Sequence, residues 1–165
     1  MTDLFGSEII RTIGLYQPYA SLMLNGKLES RWVAADRKPP FPKGKYLIYA
    51  TKKEYSNEEF QRIAGMFWDK AMSILRTEKT KHLTGVGLAI GELYRVESIR
   101  TISQCDEAFV EPPSPLDDSE QFTYDSHCLW GLRFKDVKRI KPFPFKGKQG
   151  VGFLSEEDKK KIVFE

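Results

Sequence analysis

Apolar residues along this chain fall into short blocks whose spacing alternates between the period of a strand and that of a helix. Ile9, Ile10, Ile13 and Leu15 predict a first strand from Ile9 to Leu15, with Tyr16-Gln17-Pro18 turning out of it. A short helix follows: Pro18 suits a first helical position, where a missing N–H costs nothing, and Ala20, Met23 and Leu24 recur at helical spacing. Gly26 is the expected residue just past that helix, because glycine enters the left-handed conformation without a Cβ penalty. Pro39, Pro40 and Pro42 remove donors and fix φ, so Arg37 to Gly44 reads as a loop. Tyr46 to Ala50 then forms the near-continuous apolar run of a buried strand.

Ser56-Asn57-Glu58-Glu59 matches a capping box, and Phe60, Ile63, Phe67, Ala71 and Ile74 carry a helical stripe on to about Arg76. That aromatic stripe is read as core. Val86, Leu88, Ile90, Leu93, Val96 and Ile99 predict a strand, bent by bulges or close backbone approach at Gly85, Gly87 and Gly91. Glu92 sits inside it, either on the solvent face or paired in a cleft, because a buried carboxylate demands a cation or a raised pKa. The stretch from Cys105 to Asp125, with Pro112-Pro113-Ser114-Pro115, reads as an exposed excursion. Cys128, Trp130, Leu132 and Phe134 alternate as a strand with one face in the core. Val137 to Leu154 reads as short strands broken by Pro142, Pro144, Gly147, Gly150 and Gly152, and Ser155-Glu156-Glu157-Asp158 caps a last helical turn. Several strands with two or three helices predict an α+β or barrel architecture. Without an internal repeat or a linker, residues 1–165 form one domain, with an acidic loop insertion at about 104–125.

Composition changes this picture little: 41% hydrophobic, 13% aromatic and 30% charged residues describe an ordinary globular chain. A net charge of +3 does not by itself imply a nucleic-acid partner, but the charges are segregated. Asp106, Glu107, Glu111, Asp117, Asp118, Glu120 and Asp125 gather in the predicted loop without a Lys or Arg among them. Arg133, Lys135, Lys138, Arg139, Lys141, Lys146 and Lys148 then follow, opposed only by Asp136, and make a candidate phosphate-facing patch. Cys105 and Cys128 are too few for a disulfide framework and lack zinc spacing, and His82 and His127 are isolated, so neither metal nor cofactor is expected. His127 and Cys128 are adjacent, hence on opposite faces of a strand, which argues against a nucleophile pair. The N-terminal Met1-Thr2-Asp3-Leu4-Phe5-Gly6 has no signal architecture and no apolar run approaches the ~18 residues of a membrane span, so the expected location is cytoplasmic.

The densest chemistry lies in Gly26-Lys27-Leu28-Glu29-Ser30-Arg31-Trp32, which leaves the first helix through a glycine. In an extended segment Glu29 and Arg31 point to the same side, as an ion pair would require. Taken alone, such residues also compose an ordinary solvated face worth little energy.

Set beside Gln17-Pro18-Tyr19-Ala20, Gly87-Leu88-Ala89-Ile90-Gly91-Glu92, Trp130 and Pro142-Phe143-Pro144-Phe145-Lys146-Gly147-Lys148-Gln149-Gly150, that cluster resembles the ASCH family of the PUA-like superfamily. The resemblance spans about Ile13 to Leu154. It implies a small, partly open β-barrel flanked by two or three helices, with a cleft beside the motif. It also implies RNA or nucleotide binding, or, in one bacterial branch, hydrolysis of N4-acetylcytidine. In that branch the motif lysine is the nucleophile and a carboxylate on a later strand its proton partner; the matching positions are Lys27 and Glu92. For binding, Lys27, Glu29, Arg31 and Trp32 would line the cleft, with Lys146, Lys148 and Gln149 nearby. The family pattern G-x-K-x-x-E-x-R is compressed here to G-K-L-E-S-R, and Glu29 stands where the hydrolase branch has threonine. A lysine attacks only as the neutral amine, which an adjacent carboxylate disfavours, so binding ranks above catalysis. A third expectation is a protein-interaction module whose partner meets the acidic loop.

Overall fold

The computed structural model describes residues 6–25, 30–35, 38–112, 128–148 and 152–165, with 30–35 and Cys128 described by backbone alone. Its centre is a mixed sheet built from β1 (Arg11–Gln17), β2 (Ser30–Ala35), β3 (Gly44–Glu54), β4 (Val86–Ser98), β5 (Cys128–Pro144) and β6 (Gly152–Phe153). The spatial order is β2-β5-β4-β3-β1-β6. Its edges, β2 and β6, do not pair with each other, so the sheet stays open. β1 and β3 run parallel, with Arg11 opposite Tyr46 and Leu15 opposite Ala50; the neighbouring pairs are antiparallel. A parallel pair needs a crossover, and it passes through α1 (Tyr19–Leu24) and β2.

Strand alternation explains the two cores. Tyr46, Ile48 and Ala50 point into a large cluster with Ile13, Leu15, Leu88 and Leu93, covered by Ala20, Leu22 and Met23 of α1 and by Phe60, Phe67, Ala71 and Leu75. Leu47, on the other face of β3, joins Ile10, Ile90, Ile140, Phe143 and Leu154. Every residue of α1 is buried, which makes it a central element despite its length.

The stripe from Phe60 to Ile74 is not one helix. It divides into α2 (Asn57–Ala64), a 3-10 turn over Gly65–Phe67, and α3 (Trp68–Leu75). The predicted cap is present, with the Ser56 hydroxyl accepting from the Glu59 N–H. Gly65 causes the break: its φ is +54 and a Cβ there would collide with the Glu111 carboxylate, which accepts the Met66 N–H at 2.6 Å.

The acidic excursion also needs correction. Its first part belongs to α4 (Ile102–Ala108), started by a capping box between Thr101 and Gln104, with Cys105, Ala108, Phe109 and Val110 buried. Residues 113–127, including the rest of the acidic run, lie outside the described residues. The segment read as short strands is mostly the second half of one long strand, β5, which absorbs its irregularities as register shifts against β4. Asp136, at φ 52, stands among them. Pro142 and Pro144 fall at its last positions, where few ladder bonds remain to be lost. The short final α5 spans Glu156–Lys159, capped by Ser155. No helix among the described residues is long and apolar enough to cross a membrane.

Candidate functional site

The helix leading to the charged motif is held by a buried polar network. Gln17 closes β1, Ser21 lies in α1 and Asn25 is its C-cap, and hydrogen bonds link the three in series. The Gln17 carboxamide donates to the Thr80 and Leu83 carbonyls at 2.9 and 2.8 Å and accepts from Ser21 N–H and Oγ. Ser21 Oγ lies 2.8 Å from Thr80 Oγ1. Asn25 caps the helix and donates to Glu78 Oε1 at 2.9 Å. Glu78 in turn accepts from Thr80 N–H and Oγ1 and from Arg139 of β5. Its side chain is 2% exposed. Burial pushes the Glu78 carboxyl up, but the hydrogen bonds from Arg139, Thr80 and Asn25 outweigh it and hold the pKa at about 2. The same bond to Glu78 raises Arg139.

This network fixes where the motif begins. Lys27 and Glu29 lie outside the described residues, yet both ends of their segment are placed. Asn25 is tied into the network, and Ser30 opens β2 opposite Arg133. Arg31 and Trp32 extend along β2 opposite Leu132 and Gly131, as the extended reading requires of their backbone. Beside them on β5 the buried indole N–H of Trp130 has no hydrogen-bond partner among the described residues, and Arg133 is clamped by Glu97 of β4 and Glu107 of α4. Burial lowers the Arg133 pKa, but those carboxylates raise it overall.

Glu92 takes the solvent-facing option. Its side chain is 45% exposed, 3.9 Å from the Lys135 ammonium, and opposite Lys45 on the other neighbouring strand. Among the described residues the buried carboxylate is Glu78, which lies in a loop without an apolar pattern to reveal it.

The basic turn after β5 is held differently. Tyr49 of β3 donates to the Lys148 carbonyl at 3.4 Å, and its ring meets Phe145 edge-on at 4.9 Å. Gly147 lies so close to the Tyr49 hydroxyl that a Cβ would overlap it, and Gly14 of β1 packs on the same ring. Lys146 and Lys148 are therefore anchored by their backbone while their side chains stay exposed. Gln149 lies outside the described residues. Among the described residues no group of His, Cys, Asp or Glu could hold a metal ion.

The crystal structure of ASCH from Zymomonas mobilis superposes with TM-score 0.54 at 15% identity, covering 92% of each chain. A tyrosine-to-phenylalanine variant of that protein gives 0.52 at 15%, over 92% of this chain and 94% of the other, and a serine-to-alanine variant gives 0.50 at 13% over 92% of each. The chain has an ASCH fold. At this identity the likeness speaks to architecture, and the open mixed sheet with its flanking helices meets the expectation of an α+β fold with a partly open sheet. No family model matches the chain, and no curated protein matches it.

Proposed function

We propose that this ASCH-fold chain binds RNA or a nucleotide, with Lys27, Glu29, Arg31 and Trp32 at the site and Lys146, Lys148 and Gln149 contacting phosphate. The observation that carries this reading is the anchored turn. Lys146 and Lys148 are exposed on a backbone clamped by Tyr49, and neither has a carboxylate partner among the described residues. Other lysines also lack an acid partner among the described residues, while Lys45, Lys70, Lys135, Lys159 and Lys161 each meet one; what sets Lys146 and Lys148 apart is the turn that Tyr49 holds. Unpaired cations on a fixed backbone suit phosphate, because binding releases counterions without ordering the chain. Hydrolysis of an acylated cytidine is less favoured, since Glu92 is engaged by Lys135 rather than turned into an enclosed site.

The test is fluorescence anisotropy with short RNAs and a panel of nucleosides across a salt series, run beside an assay for acetate release from N4-acetylcytidine. RNA binding that weakens steeply with salt and falls when Lys146 and Lys148 are both changed to Glu supports the reading. Absence of RNA and nucleoside binding, or flat salt dependence of RNA binding, overturns it.

A further inference from the structure

On the sheet face that carries the anchored turn, an exposed tyrosine stands beside a lysine. Gly14, Tyr16, Tyr49 and Thr51 share one side of the paired strands β1 and β3, by alternation from the Leu15–Ala50 pairing, and Lys53 comes to the same side beyond a register shift, its ammonium over the Tyr16 ring. Gly14 packs on the Tyr49 ring whose hydroxyl holds the Lys146–Lys148 turn, and Tyr16 follows two residues later, about 7 Å further along the strand. Its ring remains 39% exposed. Tyr55 braces it edge-on at 5.2 Å, and the Lys53 ammonium lies 4.9 Å from its centroid and 5.6 Å from that of Tyr55. Tyr55 is itself packed against Tyr19 of α1 at 6.1 Å. The platform is therefore tied to the core, while Tyr16 keeps solvent contact.

Lysine and one carboxylate surround it. Lys53 is exposed and, like Lys146 and Lys148, has no carboxylate partner among the described residues. The acid, Glu54, lies 2.5 Å from the His82 imidazole. A braced, exposed ring with the Lys53 ammonium beside it, on the face of the basic turn, has the makeup of a surface on which unstacked bases lie while lysines follow the backbone. A duplex offers no free base face to such a ring.

We propose that single-stranded RNA crosses from the Lys146–Lys148 turn over Tyr16, which stacks on one base, while Lys53 neutralises an adjoining phosphate. This rests on the RNA-binding reading above and adds the strand state of the RNA and a stacking residue outside the motif. The experiment is anisotropy with labelled oligoadenosine, oligouridine and an RNA duplex of the same length, using the full chain and the variants Tyr16→Ala, Tyr16→Phe and Lys53→Met. Expected are tighter binding of single strands than of duplex and a roughly 5- to 150-fold loss for single strands in Tyr16→Ala. Tyr16→Phe should retain affinity, and Lys53→Met should reduce the salt slope by about 0.7. Circular dichroism of Tyr16→Ala checks that the fold is kept. Equal affinity of Tyr16→Ala and wild type for single strands, with RNA binding intact, overturns the platform alone; preference for duplex does the same. Loss of all RNA binding in the wild type overturns both readings.

Discussion

Arg139, on the second half of β5, donates to both carboxylate oxygens of Glu78 at 2.5 and 3.2 Å, joining the central sheet to the loop that locks the first helix. The contact is bidentate and nearly dry on the Glu78 side, while Arg139 is 36% exposed, so removing Arg139 leaves a buried carboxylate unpaired and removing Glu78 leaves a cation that water reaches. Arg139→Met is expected to cost about 3–5 kcal/mol, the range for stranding a buried charge, and Glu78→Gln less. Urea unfolding of both singles and the double variant should show strong coupling. Additive losses would mean that the two groups act independently.

Acid stability follows from the same carboxylate. Its folded pKa of about 2 lies below the ordinary 4.5, so the folded state binds the proton less readily than the unfolded chain. Stability from Glu78 is therefore fully present above about 4.5 and is lost as pH falls towards 2. The difference corresponds to about 3 kcal/mol. Unfolding free energy should decline through this window in the wild type and less steeply in Glu78→Gln. Parallel pH profiles would show that other carboxylates govern acid unfolding.

Gly65 offers a sharper local test. A side chain there is placed at positive φ and against Glu111, which caps the turn. Gly65→Ala should lose at least about 1–2 kcal/mol, the left-handed penalty alone, seen as a lowered thermal midpoint. An unchanged midpoint would mean that the turn rearranges freely.

That residue also shows where sequence reading stopped. The strands, the short first helix and the start of α2 were legible because each rests on local periodicity or on a cap three residues away. The break was not, since Phe60, Phe67 and Ala71 keep helical spacing across it and the cap comes from Glu111, 45 positions on. Likewise Gln17, Ser21 and Asn25 stand close together in the sequence, but Glu78 and Thr80 meet them across 53 or more positions. At the site, the cluster of residue types was visible, whereas the solvent-facing state of Glu92 depends on Lys45 and Lys135 lying on neighbouring strands. Nothing local distinguishes that carboxylate from one turned into a cleft.

Glu92 therefore separates binding from catalysis. Its exposed pair with Lys135 is worth at most about 1 kcal/mol, so Glu92→Gln should leave stability almost unchanged. As an amidohydrolase, the chain would lose turnover in both Glu92→Gln and Lys27→Ala, because both residues would serve one chemical step. As a binding protein, it has no turnover to lose. Lys27→Ala should instead weaken RNA or nucleoside binding by roughly 1.5–3 kcal/mol, the scale of a charged hydrogen bond, while Glu92→Gln binds almost as the wild type does. The second pattern is expected, since Glu92 already has a cationic partner. Acetate release from N4-acetylcytidine by the wild type, lost in both variants, would reverse the assignment.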